Sequence, residues 1–146
     1  MLPLPLRPAE QMPVKIKIKT EIHQDGNKET FELITFGRYY QKGESSFLQY
    51  EEVLEEGRIN TTVKISGQEV LILRSGAVKM RMRFQEQKTF AGTYETPYGV
   101  LQTSASTKRI NQSLYNNTGS LELVYDLQMQ GQDSGTYHMT IRYEEE

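Results

Sequence analysis

The chain has 146 residues, 25% of them charged, a formal net charge of −2, and neither cysteine nor tryptophan. A single domain of this length buries enough surface to fold without staples, and the missing thiol excludes disulfides, thiolate catalysis and cysteine-based metal centres. The mildly acidic balance gives no basic footprint for nucleic acid, and no apolar run approaches the roughly 18 residues of a membrane helix.

Residues 1–13 read as an extended arm, broken by Pro3, Pro5 and Pro8, ahead of one domain at 14–146. The prolines leave no continuous apolar segment for a secretory signal, so the chain is expected in the cytoplasm. From Val14 onward a two-residue rhythm takes over. Val14, Ile16, Ile18, Thr20 and Ile22 alternate with Lys15, Lys17, Lys19 and Glu21. A strand puts those lysines on one face, whereas a helix would scatter them. Phe31 to Tyr40 is ambiguous, with Phe31 and Leu33 on one face and Ile34 and Phe36 on the other. Ser46 to Val53 reads as a strand leading into a turn at Leu54 to Gly57, in preference to a two-turn helix over Glu51 to Gly57.

Ile59, Thr61, Val63 and Ile65 form the next apolar face. Glu69 to Leu73 is more continuously apolar and reads as buried on both sides. Val78, Met80, Met82 and Phe84 alternate with Lys79, Arg81 and Arg83. Leu121, Leu123, Tyr125, Leu127 and Met129 form another apolar face, and Tyr137, Met139, Ile141 and Tyr143 the last. Turn signals punctuate these runs at Asp25-Gly26, Lys42-Gly43, Glu56-Gly57, Ser66-Gly67, Ser75-Gly76, Glu86-Gln87, Pro97 to Gly99, Asn116 to Gly119 and Ser134-Gly135.

The expected fold is therefore all-β with little helix: a single antiparallel up-and-down barrel of about 8–10 strands, closed because long meanders otherwise expose edges. Alternate turns then gather at opposite mouths. The first mouth collects Asp25-Gly26, Glu56-Gly57, Ser75-Gly76, Pro97 to Gly99 and Ser134-Gly135. The second collects the arm, with Leu2, Leu4 and Leu6 placed to plug it or to dock on a neighbouring molecule.

The run RSGAVKMRMRF, from Arg74 to Phe84, resembles the signature of the YwiB-like family of small bacterial proteins of unknown function. YEE at Tyr50 to Glu52, TSASTKRI at Thr103 to Ile110, YDLQM at Tyr125 to Met129 and MTIRY at Met139 to Tyr143 extend the resemblance over Val14 to Tyr143. It implies a calycin-like, lipocalin-related β-barrel and no particular activity.

No catalytic constellation stands out, so a non-enzymatic binding protein is expected, with no cofactor and no metal. His23 sits beside a turn and His138 on the polar side of the last strand, without the clustered ligands a zinc site needs. There is no nucleophile elbow, phosphate loop or dinucleotide fingerprint. Met80, Met82, Met129 and Met139 lie on apolar faces, and thioethers make adaptable walls as well as core filler. Lys79, Arg81 and Arg83, with Arg74 one turn earlier, read as a basic strip on the opposite face.

Two functional readings follow. In the first, the barrel takes a small apolar or amphipathic ligand against Met80, Met82, Met129 and Met139, with an anionic head at the first mouth, where Arg74 and Tyr98 converge. In the second, the barrel is filled and acts as a protein-interaction module, as a homodimer. Neither reading involves nucleic acid or a membrane.

Overall fold

The alternating runs become ten strands. The computed structural model describes residues 11–115 and 118–146, with β1 at Met12–Gln24, β2 at Asn27–Lys42, β3 at Ser45–Leu54, β4 at Gly57–Ser66 and β5 at Glu69–Gly76. They are followed by β6 at Lys79–Gln85, β7 at Thr89–Thr96, β8 at Gly99–Tyr115, β9 at Thr118–Met129 and β10 at Gln132–Glu145. No helix occurs among the described residues. Each strand pairs antiparallel with its sequence neighbours, and β1 zips onto β10 from Val14↔Glu145 to His23↔Thr136. The result is the expected closed meander. Leu2, Leu4 and Leu6 lie outside the described residues, while Met12 and Pro13 already belong to β1 and pair with Tyr39 and Arg38 of β2.

Closure turns one face of every strand inward. Val14, Ile16, Leu48, Val63, Val70, Phe84, Leu121 and Leu123 are fully buried there and form one continuous core. Phe84 packs on Tyr125 with ring centroids 4.6 Å apart, and Tyr39 stacks on Tyr143 at 5.2 Å. The outward positions carry the charge: Lys15, Lys17, Lys19, Lys79, Arg81 and Arg83 are all exposed. The Glu51 stretch is strand, as expected, because β3 stays in register with β4 out to Leu54↔Gly57. In β2 the ambiguity resolves by pairing: Leu33 faces inward opposite Ile18, and Ile34 and Phe36 face solvent opposite Lys17 and Lys15.

Two expectations need correction. The last turn is Gln130-Gly131, both with positive φ (53° and 78°), and not Ser134-Gly135. Gly135 lies within β10, where the register slips between Asp133 and Thr136 as a bulge. Arg74 does not belong to the outer basic strip. It lies directly opposite Thr61 on one side and Met80 on the other, and residues directly opposite in a sheet share a face. Arg74 thus points into the barrel with Val70 and Ile72. The continuous apolar run hid this parity, because Leu71 and Leu73 are outward but only half-exposed.

One seam of the barrel is incomplete. β2 pairs with β1 along Asn27 to Tyr39, yet with β3 only from Gly37 to Lys42. Towards the first mouth β2 and β3 part. Gly37 stands where they part, and a methyl there would overlap the Gln49 carbonyl and crowd the Ile16 side chain. A crevice of about 630 Å³ opens at this point, bordered by Phe36, Arg38, Glu51 and Thr61 among others.

Candidate functional site

The barrel interior changes character along its axis. Its middle and its second-mouth end are packed by aliphatic and aromatic side chains. Towards the first mouth, inward residues such as Leu33, Met80, Tyr94, Met129, Tyr137 and Met139 become half-buried. Leu33, Met80, Met129, Tyr137 and Met139 pack against the core and form the first-mouth end of the barrel interior. The register explains why they meet: Met80 faces Tyr94, Tyr94 faces Leu101, and Thr103 faces Met129. Across the closure, Met139 faces Leu123 on one side and Thr20 on the other.

The interior at this end also carries polar groups. Arg74 is a cation on an otherwise uncharged ring, with Thr61 and Met80 as its cross-strand neighbours. Its Nε is buried without a hydrogen-bond partner among the described residues, and so are the hydroxyls of Thr61, Thr103 and Thr107. A buried donor without a partner costs about 1–3 kcal/mol, so this arrangement is expensive for a structure that needs only a filled core. Burial pushes the Tyr50 hydroxyl up to about 12, with the Arg74 charge opposing the rise. Burial also raises Tyr125, reinforced by Tyr137 and again opposed by Arg74. Tyr137 itself is raised by burial and by the nearby Glu29 and Tyr94. Arg74 is therefore within electrostatic reach of two buried tyrosines, and Glu29 contributes a carboxylate at the rim.

The residues singled out from sequence separate into three groups. Arg74, Met80, Met129 and Met139 all lie at the first-mouth end of the interior, with Arg74 directly opposite Met80. Met82 lies deeper, 6% exposed, in the packed core. Tyr98 is on the β7–β8 turn at the first mouth but is 96% exposed, so its ring stands in solvent away from the buried Arg74 Nε. Tyr50, Thr61, Thr103, Tyr125 and Tyr137 were not singled out as site residues. The signal was present, since Thr61 and Tyr125 lie on apolar faces by strict alternation, and polar side chains at inward positions mark where a barrel needs partners.

The outer surface carries a second polar cluster, on β8, β9 and β10. Glu122 accepts a hydrogen bond from Asn111 Nδ2 at 2.9 Å, meets His138 Nε2 at 2.5 Å and lies 3.3 Å from Arg109 Nε. The Asn111 and His138 contacts, with the Arg109 charge, hold the Glu122 carboxyl below its ordinary value. This network ties three strands together on the outside. His23, in contrast, is exposed at the end of β1.

The ten-stranded closed meander is a small barrel of the domain of unknown function DUF1934, whose family model matches residues 16–141. The chain belongs to that family. It is 36% identical over 135 residues to the "Uncharacterized beta-barrel protein YwiB" of Bacillus subtilis (strain 168), covering 92% of this chain and 95% of the relative. The crystal structure of the ywiB protein from Bacillus subtilis superposes with a TM-score of 0.86 at 35% identity, over 94% of this chain and 95% of that one. The resemblance read from Arg74 to Phe84 is thus borne out, and so is the barrel.

Proposed function

We propose that the protein is a non-enzymatic carrier or sensor that binds a small amphipathic anion in the first-mouth end of its barrel. The carrying observation is Arg74, an inward cation whose Nε is buried and unpartnered among the described residues, directly opposite the equally unpartnered hydroxyl of Thr61. A carboxylate or similar oxyanion seated on Arg74 would supply acceptors that the protein lacks, and charge-assisted hydrogen bonds of this kind are about twice as strong as neutral ones. The apolar body of the ligand would lie against Met80, Met129 and Met139, whose flexible thioethers adapt to varied shapes. Exposed lysines and arginines around the outer face support a barrel surrounded by water and not by lipid, because charges on a lipid-facing barrel surface are destabilising. A chain without cysteine suits a reducing compartment, and we place it in the cytoplasm.

A panel of fatty acids, isoprenoid acids and aromatic acids tests this reading by thermal shift. At least one should raise Tm, because a ligand that binds the native state stabilises it by mass action. In the same complex the methyl signals of Met80, Met129 and Met139 should move in NMR spectra, and that of Met82 should stay. Arg74→Met should abolish the Tm shift. A panel with no active member and four unmoved methionine signals would overturn the proposal.

A further inference from the structure

The open seam between β2 and β3 presents unused backbone. The β1–β2 turn has two residues, Asp25 and Gly26, with φ of 53° and 79°, the type I′ geometry that closes on a doubly hydrogen-bonded pair at Gln24↔Asn27. Alternation from that pair means the even-numbered residues of β2 point their N–H and C=O groups away from β1. The far end of the ladder agrees. Pro13, opposite Arg38, turns its carbonyl to β10, where it accepts from the Glu146 N–H at 3.0 Å. From Arg38 onward the even residues face β3 in the ladder. From Lys28 to Phe36 they face the open seam.

The same seam gathers exposed apolar side chains. Phe31, Ile34 and Phe36 on β2 and Val53 and Leu54 on β3 are between 45% and 71% exposed. They make up five of the nine large hydrophobic side chains exposed among the described residues. An edge that is long, apolar and unpaired is a template for another strand. Charge selects the kind of strand. On the inner face Glu29 of β2 and Glu52 of β3 flank the seam without an ion pair among the described residues, with Glu55 and Glu56 on the turn after β3, whereas on the outer face Lys15, Lys17 and Lys19 stand opposite Phe36, Ile34 and Glu32, Lys28 is engaged by Glu21 and Arg58 by Glu51.

We infer that the open edge of β2, from Lys28 to Phe36, is a docking site for an extended segment of another protein with alternating basic and apolar residues. The segment adds as a strand in the β2–β3 seam. Its backbone pairs with Thr30, Glu32 and Ile34, its apolar side chains lie on the outer face beside Ile34 and Phe36, and its basic ones point inward to Glu29 and Glu52. The seam's crevice shares Tyr50 and Thr61 with the Arg74 end of the barrel, and the docking requires no ligand held there.

Amide hydrogen exchange tests it, with a capped synthetic heptapeptide alternating Lys with Val and Ile as the probe. In the free protein the amides of Thr30, Glu32 and Ile34 should exchange fast, and those of Phe31 and Leu33 slowly. The basic peptide should protect the first set at least tenfold and weaken in high salt, while the same peptide with Glu for Lys should give no protection. Glu32→Pro removes a seam-facing donor without touching the β1 ladder, so it should abolish peptide protection at nearly unchanged Tm. Should that variant fold poorly, Ile34→Asp on the outer face serves instead, with binding expected to fall at least tenfold. Equal protection by both peptides, or none by either, overturns the inference. So does a free protein whose even-numbered amides are already protected in a dimer, because the second copy then fills the seam.

Discussion

Replacing Arg74 with methionine separates a binding role from a structural one. In the ligand-free protein Arg74 Nε is buried without a partner, and removing such a group recovers about 1–3 kcal/mol. Methionine keeps an unbranched stem of similar reach against Met80, so little packing is lost. Against the gain stands the loss of the guanidinium charge near the buried Tyr50 hydroxyl, a polar contact on the scale of about 1 kcal/mol. The balance is a stabilisation of about 0–2 kcal/mol, or a Tm rise of about 0–6 °C for a chain of this length. Urea melts followed by tyrosine fluorescence suit the measurement, since the chain has nine tyrosines and no tryptophan. A residue kept for binding is commonly held at a cost in stability, so Arg74→Met should be at least as stable as the parent while losing ligand response. A loss of more than about 2 kcal/mol would show that Arg74 holds the barrel together, and would refute the reasoning.

Further outcomes follow from the core, the close approaches and the titrating groups. Phe84→Ala empties a fully buried position against Tyr125 and should cost about 3–5 kcal/mol in urea unfolding. Gly119→Ala places a methyl into the Tyr143 ring and should cost about 1–3 kcal/mol, with near-ultraviolet circular dichroism reporting the displaced tyrosine. Because the folded-state Glu122 carboxyl is held below its ordinary 4.5, its contribution is present above that pH and lost as pH falls through the lower folded value. Melts between pH 6 and pH 2 should therefore show a smaller acid loss in Glu122→Gln than in the parent protein. Burial lifts Tyr50 and Tyr143 to about 12, so stability should be level below pH 10 and fall from pH 10 to 12 as the unfolded chain ionises first. Absorbance at 295 nm should show these two phenols titrating late.

The barrel was legible because its physics is local and repetitive. Alternation such as Val14-Lys15-Ile16-Lys17 identifies a strand and its inner face at once, and turn residues delimit it. What local pattern could not decide was parity at breaks. Ser134-Gly135 looks like a turn, but the preceding Gln130-Gly131 closes the hairpin, and Gly135 instead accommodates a bulge whose register depends on β9. Arg74 shows the same limit. Its side was set by pairing with Thr61 and Met80, two strands that local sequence does not connect to it.

The incomplete seam is less visible still, since β2 reads as one uninterrupted strand over Asn27–Lys42 and nothing local says that β3 leaves it at Gly37. Yet the side chains there follow the consequence. Where β2 has neighbours on both sides, its outer face carries the large side chains Arg38 and Tyr40, with Tyr40 stacked on Phe47 of β3. Where the neighbour is missing, Ile34 and Phe36 stand uncovered on the seam side, with Lys17 and Lys15 opposite them on β1. A solitary edge selected merely against aggregation would carry lysine or proline at those outward positions. The retention of apolar side chains, combined with backbone groups aimed into the same gap, is what a surface shaped for an incoming strand requires. On the two proposals, the first-mouth end and the seam would make opposite demands on chemistry: the Arg74 cation would take an anion, and the seam's inward carboxylates beside an apolar edge would take a cationic strand.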